Sequence, residues 1–340
     1  MRVFTDDPTA AAGIISEAYW KRDAVLSRRD ERLVQVLGGT AVWSQPLQPA
    51  HPFWSAAFVL SYSDGSQFQA LDRLLAGGER IAEPVAALAL TGTGFRGQRD
   101  RIWEAARGNL HLTVAVPIGL DASEIGAALS MLPAVAAAEA IVEASGGALT
   151  PRIKWVNDLL VEGRKTGGVL SAAHTTARRI DDVVWGIGIN VEVAPPIEPT
   201  RFVPATTCLH ASPGGSRVTV SSLFSALLDA IARRHSDLLR SGPGAIFDAY
   251  RRHSAVIGRE VRVWDESGES PIAEGVVAGI GPDLGLQLEG HADPVMRGRL
   301  ELVGAGVVAT PIDSALVAAI AATVSARFPG ARVTRIERES

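Results

Sequence analysis

The sequence predicts an α+β fold: a mixed β-sheet with helices packed on it, followed by a small barrel of five short strands. Three observations lead there. Strand-like runs outnumber helical ones through the middle of the chain and are joined by short turns, which excludes the strict alternation of a doubly wound fold. Hydrophobic residues fill 47% of the 340 positions and charged residues 21%, so a sizeable core can be buried. From residue 257 the texture changes to short alternating runs separated by glycine-rich turns.

The elements follow in order. The first 45 residues or so carry one helical run, IISEAYWKRDAVL, and then RRDERLVQVLGGT, read as a charged turn leading to a short strand. SAAFVLSY is a strand, and Asp64, Gly65 and Ser66 supply turn and cap chemistry for a helix in QFQALDRLLAGG, closed by Gly77 and Gly78. VAALAL is a strand that enters the loop TGTGFRGQRDRIWEAARGN, and the alternation of LHLTVAV marks the next. Asp121 and Glu124 have capping-box spacing before an alanine-rich run that Pro133 is expected to break or bend. RIKWV, DLLVEG, GRKTGGVLSAA and VVWGIGINVEV are strand candidates, and residues 220–253 are helical around a glycine-proline break. The tail from Thr310 carries an amphipathic helix and the strand-like ARVTRIE. The expected organisation is an extension over 1–48, a main domain over 49–255, the barrel over 256–304 and a tail over 305–340.

Composition excludes several function classes. Thirty-three basic against 37 acidic side chains, a net charge of −4, argue against a generally basic nucleic-acid binder, and no basic reading helix is visible in the N-terminal segment. The single cysteine, Cys208, rules out a disulfide framework and any zinc site of several thiolates, which makes the cytoplasm the default compartment. MRVFTDDPTAAAG lacks a signal-peptide pattern, and the longest apolar stretches are too short to span a bilayer, so no membrane association is expected. His111 and His174 lack the spacing of a metal site, and no protein-ligated metal is expected.

Three constellations can carry chemistry. In the loop from Gly92 to Arg107, Gly92, Gly94 and Gly97 alternate with Arg96, Arg99, Arg101 and Arg107; glycine permits close backbone approach while guanidinium forks grip phosphate or carboxylate oxygens. The same composition also describes a solvated surface loop. In RIKWVNDLLVEGRKTGGVL, Lys154 lies in an apolar strand pattern, where a cation is costly unless it meets an anion or reaches solvent. Asn157 and Asp158 follow at a turn, Gly163, Arg164 and Lys165 read as a hairpin tip, and Gly167 and Gly168 indicate close approach of a ligand or of another backbone. In GIGIN, glycines at alternate positions strip one strand face of side chains, leaving either a slot for a ligand beside Asn190 or tight packing.

Together these segments resemble the biotin protein ligase family, within the wider group of biotin and lipoate ligases. KWVNDLLVEGRKTGGVL is similar to the family's KWPNDL, glycine-arginine-lysine and GGIL pattern, and GIGIN follows about twenty residues later; SDGSQ and RGNLHLT extend the match, which runs from about residue 50 to 303. The resemblance implies that the 257–303 segment is the SH3-like domain that closes these ligases. It also implies a two-step acyl transfer: biotin is adenylated by ATP with Mg2+, and the acyl group passes to a lysine of a biotin carboxyl carrier protein or a similar acceptor. The resemblance implies Lys154 and Arg96 as catalytic cations. It places Ser66, Gln67, Gly92, Gly94, Trp103, Gly168 and Gly188 around the acid, and Arg99, Arg101, Asn157, Asp158 and Asn190 around the nucleotide. Departures from the pattern are Thr93 and Phe95 at usually basic positions, Ala89 where a glutamine is frequent, Gly65 for a serine and Val156 for a proline. Two alternatives stay open, a ligase of this fold for lipoate or another small acid and a non-catalytic ligand-binding relative. Oligomeric state is left open.

Overall fold

The computed structural model describes residues 1–15, 20–22, 26–38, 43–46, 51–203 and 205–304. Among these, a ten-stranded mixed sheet forms the frame, in the spatial order Lys21–Arg22, Trp43–Pro46, Arg2–Thr5, Ala56–Leu60, Val85–Ala89, Leu110–Asp121, Arg179–Ile189, Arg164–Thr176, Asp158–Val161 and Arg152–Lys154. Ala56–Leu60 runs parallel to both of its neighbours, and the other pairs are antiparallel. The strands Ala56–Leu60 and Val85–Ala89 are buried on both faces, which is why they read as unbroken apolar runs.

The N-terminal segment differs from the sequence expectation. Residues Arg28–Val36 form an α-helix where a charged turn and strand are expected. Ser27 accepts from the Asp30 amide, Asp30 and Glu31 sit in the first turn, and Leu33 and Val34 are buried, so cap, dipole and apolar face all favour the helix. Of the helix expected over IISEAYWKRDAVL, residues 16–19 and 23–25 lie outside the described residues; Lys21–Arg22 is strand. The expected helix and strand of the tail also lie outside them.

Helix Ala128–Ala144 runs between the sheet and the helices Val220–Ser241 and Gly244–His253, and it is buried almost all round. Pro133 does not end it. Proline leaves the Leu129 carbonyl without its usual helical donor, and that oxygen instead accepts the Trp185 indole N–H at 2.8 Å and the Ser171 hydroxyl at 3.1 Å, both from the sheet beneath. The expected break thus becomes a tie between layers. In the C-terminal part, Glu260–Trp264, Pro271–Ile280, Leu286–Leu288 and Arg299–Leu302 form a four-stranded antiparallel sheet where five strands are expected.

Candidate active site

Register lays out the floor of the site. Lys154, Asp158, Gly168, Gly188, His111 and Ala89 are successive partners across six strands, so they share one row on one face of the sheet. One step along, Leu170, Gly186 and Thr113 form a second row. The glycines strip the middle of both rows, and a cavity of about 310 Å³ opens above them.

Side chains from elsewhere fill the glycine gaps in part. A Cβ at Gly186 would come within 3.1 Å of the Phe68 ring, and one at Gly188 within 2.6 Å of Trp103 Cε2. Trp103 belongs to the arginine-rich loop, which folds as a narrow hairpin: the Trp103 amide donates to the Phe95 carbonyl at 3.0 Å and the Gly97 amide to the Arg101 carbonyl at 2.7 Å. Its indole N–H donates to His111 Nδ1 at 3.2 Å, which leaves the proton on Nε2 to bond the Ala106 carbonyl at 3.0 Å. Burial brings the His111 imidazole down to about 4, so this end of the cavity is neutral and aromatic at physiological pH.

The opposite end is charged. Lys165 Nζ bonds Asp158 Oδ1 at 2.5 Å, with both side chains largely buried. Burial by itself raises the Asp158 carboxyl, but Lys165, Lys154 and Arg101 together hold it below the ordinary carboxylate range. Gly168 leaves room for this pair: a Cβ there would sit 3.7 Å from Asp158 Oδ1 and 4.0 Å from Lys165 Cε. Arg96, Arg101 and Arg299 also line the cavity. Among the described residues neither Arg101 nor Arg299 has a carboxylate partner; Arg101 Nε bonds the Gln98 carbonyl at 3.2 Å and Arg299 Nη1 the Ser267 carbonyl at 3.2 Å.

Of the residues singled out from sequence, the cavity gathers Ser66, Arg96, Arg101, Trp103, Asn157, Asp158, Gly168, Gly188 and Asn190. Lys154 does not reach it. It is 4% exposed, and its Nζ donates to the Phe202 carbonyl at 2.7 Å. Burial brings its ammonium down to about 8; Asp158 opposes the shift while Lys165, Arg101 and Arg299 add to it. Arg99 also points away, with Nε on Glu266 at 2.6 Å and Nη2 on the Gly298 carbonyl at 3.0 Å. Gly92 and Gly94 shape the loop, not the wall: a Cβ at Gly92 would come within 2.6 Å of the Phe95 ring, and Gly94 has φ +69°. Gln67 is not on the wall but follows Ser66, is 1% exposed and has neither amide atom paired. Asn190 donates to the Thr207 carbonyl and keeps an unpaired Oδ1.

Sequence reasoning missed Lys165, His111, Phe68 and Arg299 as cavity residues. It also missed Asn109, whose Oδ1 accepts the amides of Val191, Glu192 and Val193 at 2.9, 3.2 and 3.1 Å. That cap turns the chain after Asn190 toward Pro195, Ile197, Thr200 and Val203, which form another wall.

Comparison with known proteins gives a consistent result. Residues 80–190 match the model of the biotin/lipoate A/B protein ligase family. The bifunctional ligase/repressor BirA of Bacillus subtilis is 30% identical over 173 residues, 50% of this chain and 51% of the relative, so the chain spans about half of that protein's length. The biotin–[acetyl-CoA-carboxylase] ligase of Paracoccus denitrificans is 30% identical over 201 residues, 58% of this chain and 80% of the relative. The solved biotin protein ligase from Aquifex aeolicus in complex with biotin and ATP has a TM-score of 0.57 at 21% identity, covering 73% of this chain and 98% of that one, a likeness of fold.

Proposed function

We propose, because this chain belongs to the biotin protein ligase family, that it joins biotin to AMP and passes the biotinyl group to a lysine of a carboxyl carrier protein. One observation carries the reading: a single cavity is aromatic and uncharged at its His111 end and holds Lys165, Arg96, Arg101 and Arg299 against the carboxylates of Asp158 and Glu104 elsewhere on its wall. That distribution fits a substrate with an apolar body and an anionic head, set beside a polyphosphate.

In the first step a carboxylate oxygen of the acid attacks the α-phosphorus of ATP and pyrophosphate leaves. Two anions must approach, and Lys165 is the ammonium placed to neutralise them, with Arg96 and Arg101 on the hairpin above. Lys154 takes a positioning role, since it stands behind Asp158 and not on the cavity wall. Trp103 and Phe95 cover the glycine groove and keep water from the mixed anhydride. Ser66 and the unpaired Gln67 amide are the polar groups we assign to the ring of the acid, and Asn157 and Asn190 to the nucleotide. In the second step the acceptor lysine amine attacks the acyl carbonyl, AMP leaves, and the amine proton is lost.

Mg2+ fits as a companion of ATP, shielding its phosphates. Asp158 and Glu104 are the wall carboxylates that could share it, and Asp158 is already engaged by Lys165. The C-terminal four-stranded sheet is the SH3-like domain of this reading, and the ATP-containing cytoplasm its compartment; among the described residues no helix is long and apolar enough to cross a membrane. The test is mass spectrometry of the acyl-AMP formed from MgATP and a panel of biotin, lipoate and octanoate. Biotinyl-AMP alone supports the proposal, lipoyl-AMP or octanoyl-AMP instead moves the specificity to another acid, and no adenylate of any kind removes the enzymatic reading.

A further inference from the structure

We infer that Arg299, carried by the C-terminal four-stranded sheet, grips the pyrophosphate end of ATP, so that this sheet completes the active site. The inference rests on the adenylation reading above. Arg299 is the one residue of that sheet on the cavity wall among the described residues. Its guanidinium lies flat over the Phe202 ring, 3.7 Å from the centroid, which fixes its plane. The Phe202 carbonyl in turn takes the Lys154 ammonium, so a single residue orients a cation on each side of the cavity wall.

The charge around Arg299 asks for an anion. Its neighbours include Arg101, Arg99 and Arg201, and the nearby carboxylate of Glu266 is held by Arg99. Burial first, then Arg101 and Arg99, pull the Arg299 guanidinium below its ordinary range, the sign of cations held together without enough counter-charge. Arg101 and Arg299 both act on Lys154, so they stand at the Lys154–Asp158 end of the row, away from the aromatic end that suits the body of the acid. Of the reactants, the polyphosphate carries the most negative charge, and an arginine fork matches it in geometry. Arg99 adds a link between loop and sheet: its bonds to Glu266 and to the Gly298 carbonyl tie the hairpin tip to the residue before Arg299.

The experiment uses the full chain with inorganic pyrophosphate and Mg2+ in isothermal titration, alongside the KM for ATP in biotin-dependent ATP–pyrophosphate exchange. Arg299→Met, which keeps an apolar stem over Phe202, should weaken pyrophosphate binding and raise the KM for ATP by about tenfold or more, while the Kd for biotin stays within twofold. Arg299→Lys should recover part of the loss. A second measurement needs no variant: pyrophosphate should protect Arg299 of the unsubstituted chain from phenylglyoxal, read by peptide mass spectrometry. Unchanged pyrophosphate affinity in a folded Arg299→Met chain, or Arg299 modified equally fast with and without pyrophosphate, overturns the inference. If the unsubstituted chain forms no acyl-AMP yet pyrophosphate protects Arg299, the anion site stands and the adenylation reading falls; the reverse pattern removes Arg299 alone.

Discussion

Replacing Lys165 by methionine separates charge stabilisation in the reaction from charge balance in the fold. Lys165 and Asp158 are 17% and 13% exposed in their side chains and meet at 2.5 Å, so removing the ammonium strands a buried carboxylate. Breaking such a pair costs about 3–5 kcal/mol, and Lys154 and Arg101, which still act on Asp158, place the expected loss at the low end, about 3 kcal/mol. Loss of a preorganised cation at the developing charge should lower the rate by roughly 10²–10³. The two effects come apart in the double variant. Asp158→Asn added to Lys165→Met removes the orphaned charge, so urea denaturation should show most of the stability recovered, while biotin-dependent exchange stays down by about two orders of magnitude. Lys154→Met, whose side chain is not on the cavity wall, should lower the rate at least about tenfold less than Lys165→Met. Recovery of the rate together with stability in the double variant, or a larger rate loss for Lys154→Met, would refute the placement of Lys165 against the reacting anions.

Three further outcomes follow from the same geometry. His111 has a folded pKa of about 4 against an ordinary 6.5, so its contribution to stability is complete above pH 6.5 and is lost as pH falls toward 4, up to about 3 kcal/mol; denaturation midpoints of the original chain should therefore drop more between pH 7 and pH 4 than those of His111→Gln, and equal slopes would count against the buried neutral imidazole. Gly188→Ala pushes a methyl into the Trp103 ring, so tryptophan fluorescence should shift and biotin should bind more than about tenfold more weakly in titration calorimetry. Asn109→Ala leaves three backbone amides without their acceptor and should cost about 2–3 kcal/mol in thermal or urea unfolding, with a higher KM for the acid as the 195–203 wall loosens.

Much of the frame was legible because local signals agree with the tertiary outcome. Apolar runs of strand length, Gly77 closing the helix after Ser66, and alternate glycines in GIGIN each carry their meaning within a few residues. The N-terminal helix was harder to read, because its buried face rests on just Leu33 and Val34 in an otherwise charged run. Pro133 misled for another reason: the oxygen it frees is satisfied by Trp185 and Ser171, about 40 to 56 positions along the chain, and no local rule supplies such partners.

The choice between Lys154 and Lys165 shows where one-dimensional reading fails on physical grounds. In a regular strand Lys165 and Gly168, three residues apart, point to opposite faces, so Lys165 looks like a hairpin-tip lysine in solvent. Pairing shows otherwise: Leu159 faces Gly167 while Leu160 faces Lys165, and Thr166 is the extra residue between them. The bulge turns Lys165 onto the face of Gly168 and Asp158, where the absent glycine side chain leaves it space. Lys154 occupies the same row by ordinary alternation, but the Phe202 carbonyl, 48 residues away, intercepts it. A bulge depends on pairing partners and an intercepting carbonyl on a distant loop, so the sequence marks both lysines as candidates and three-dimensional register selects the one that meets the cavity.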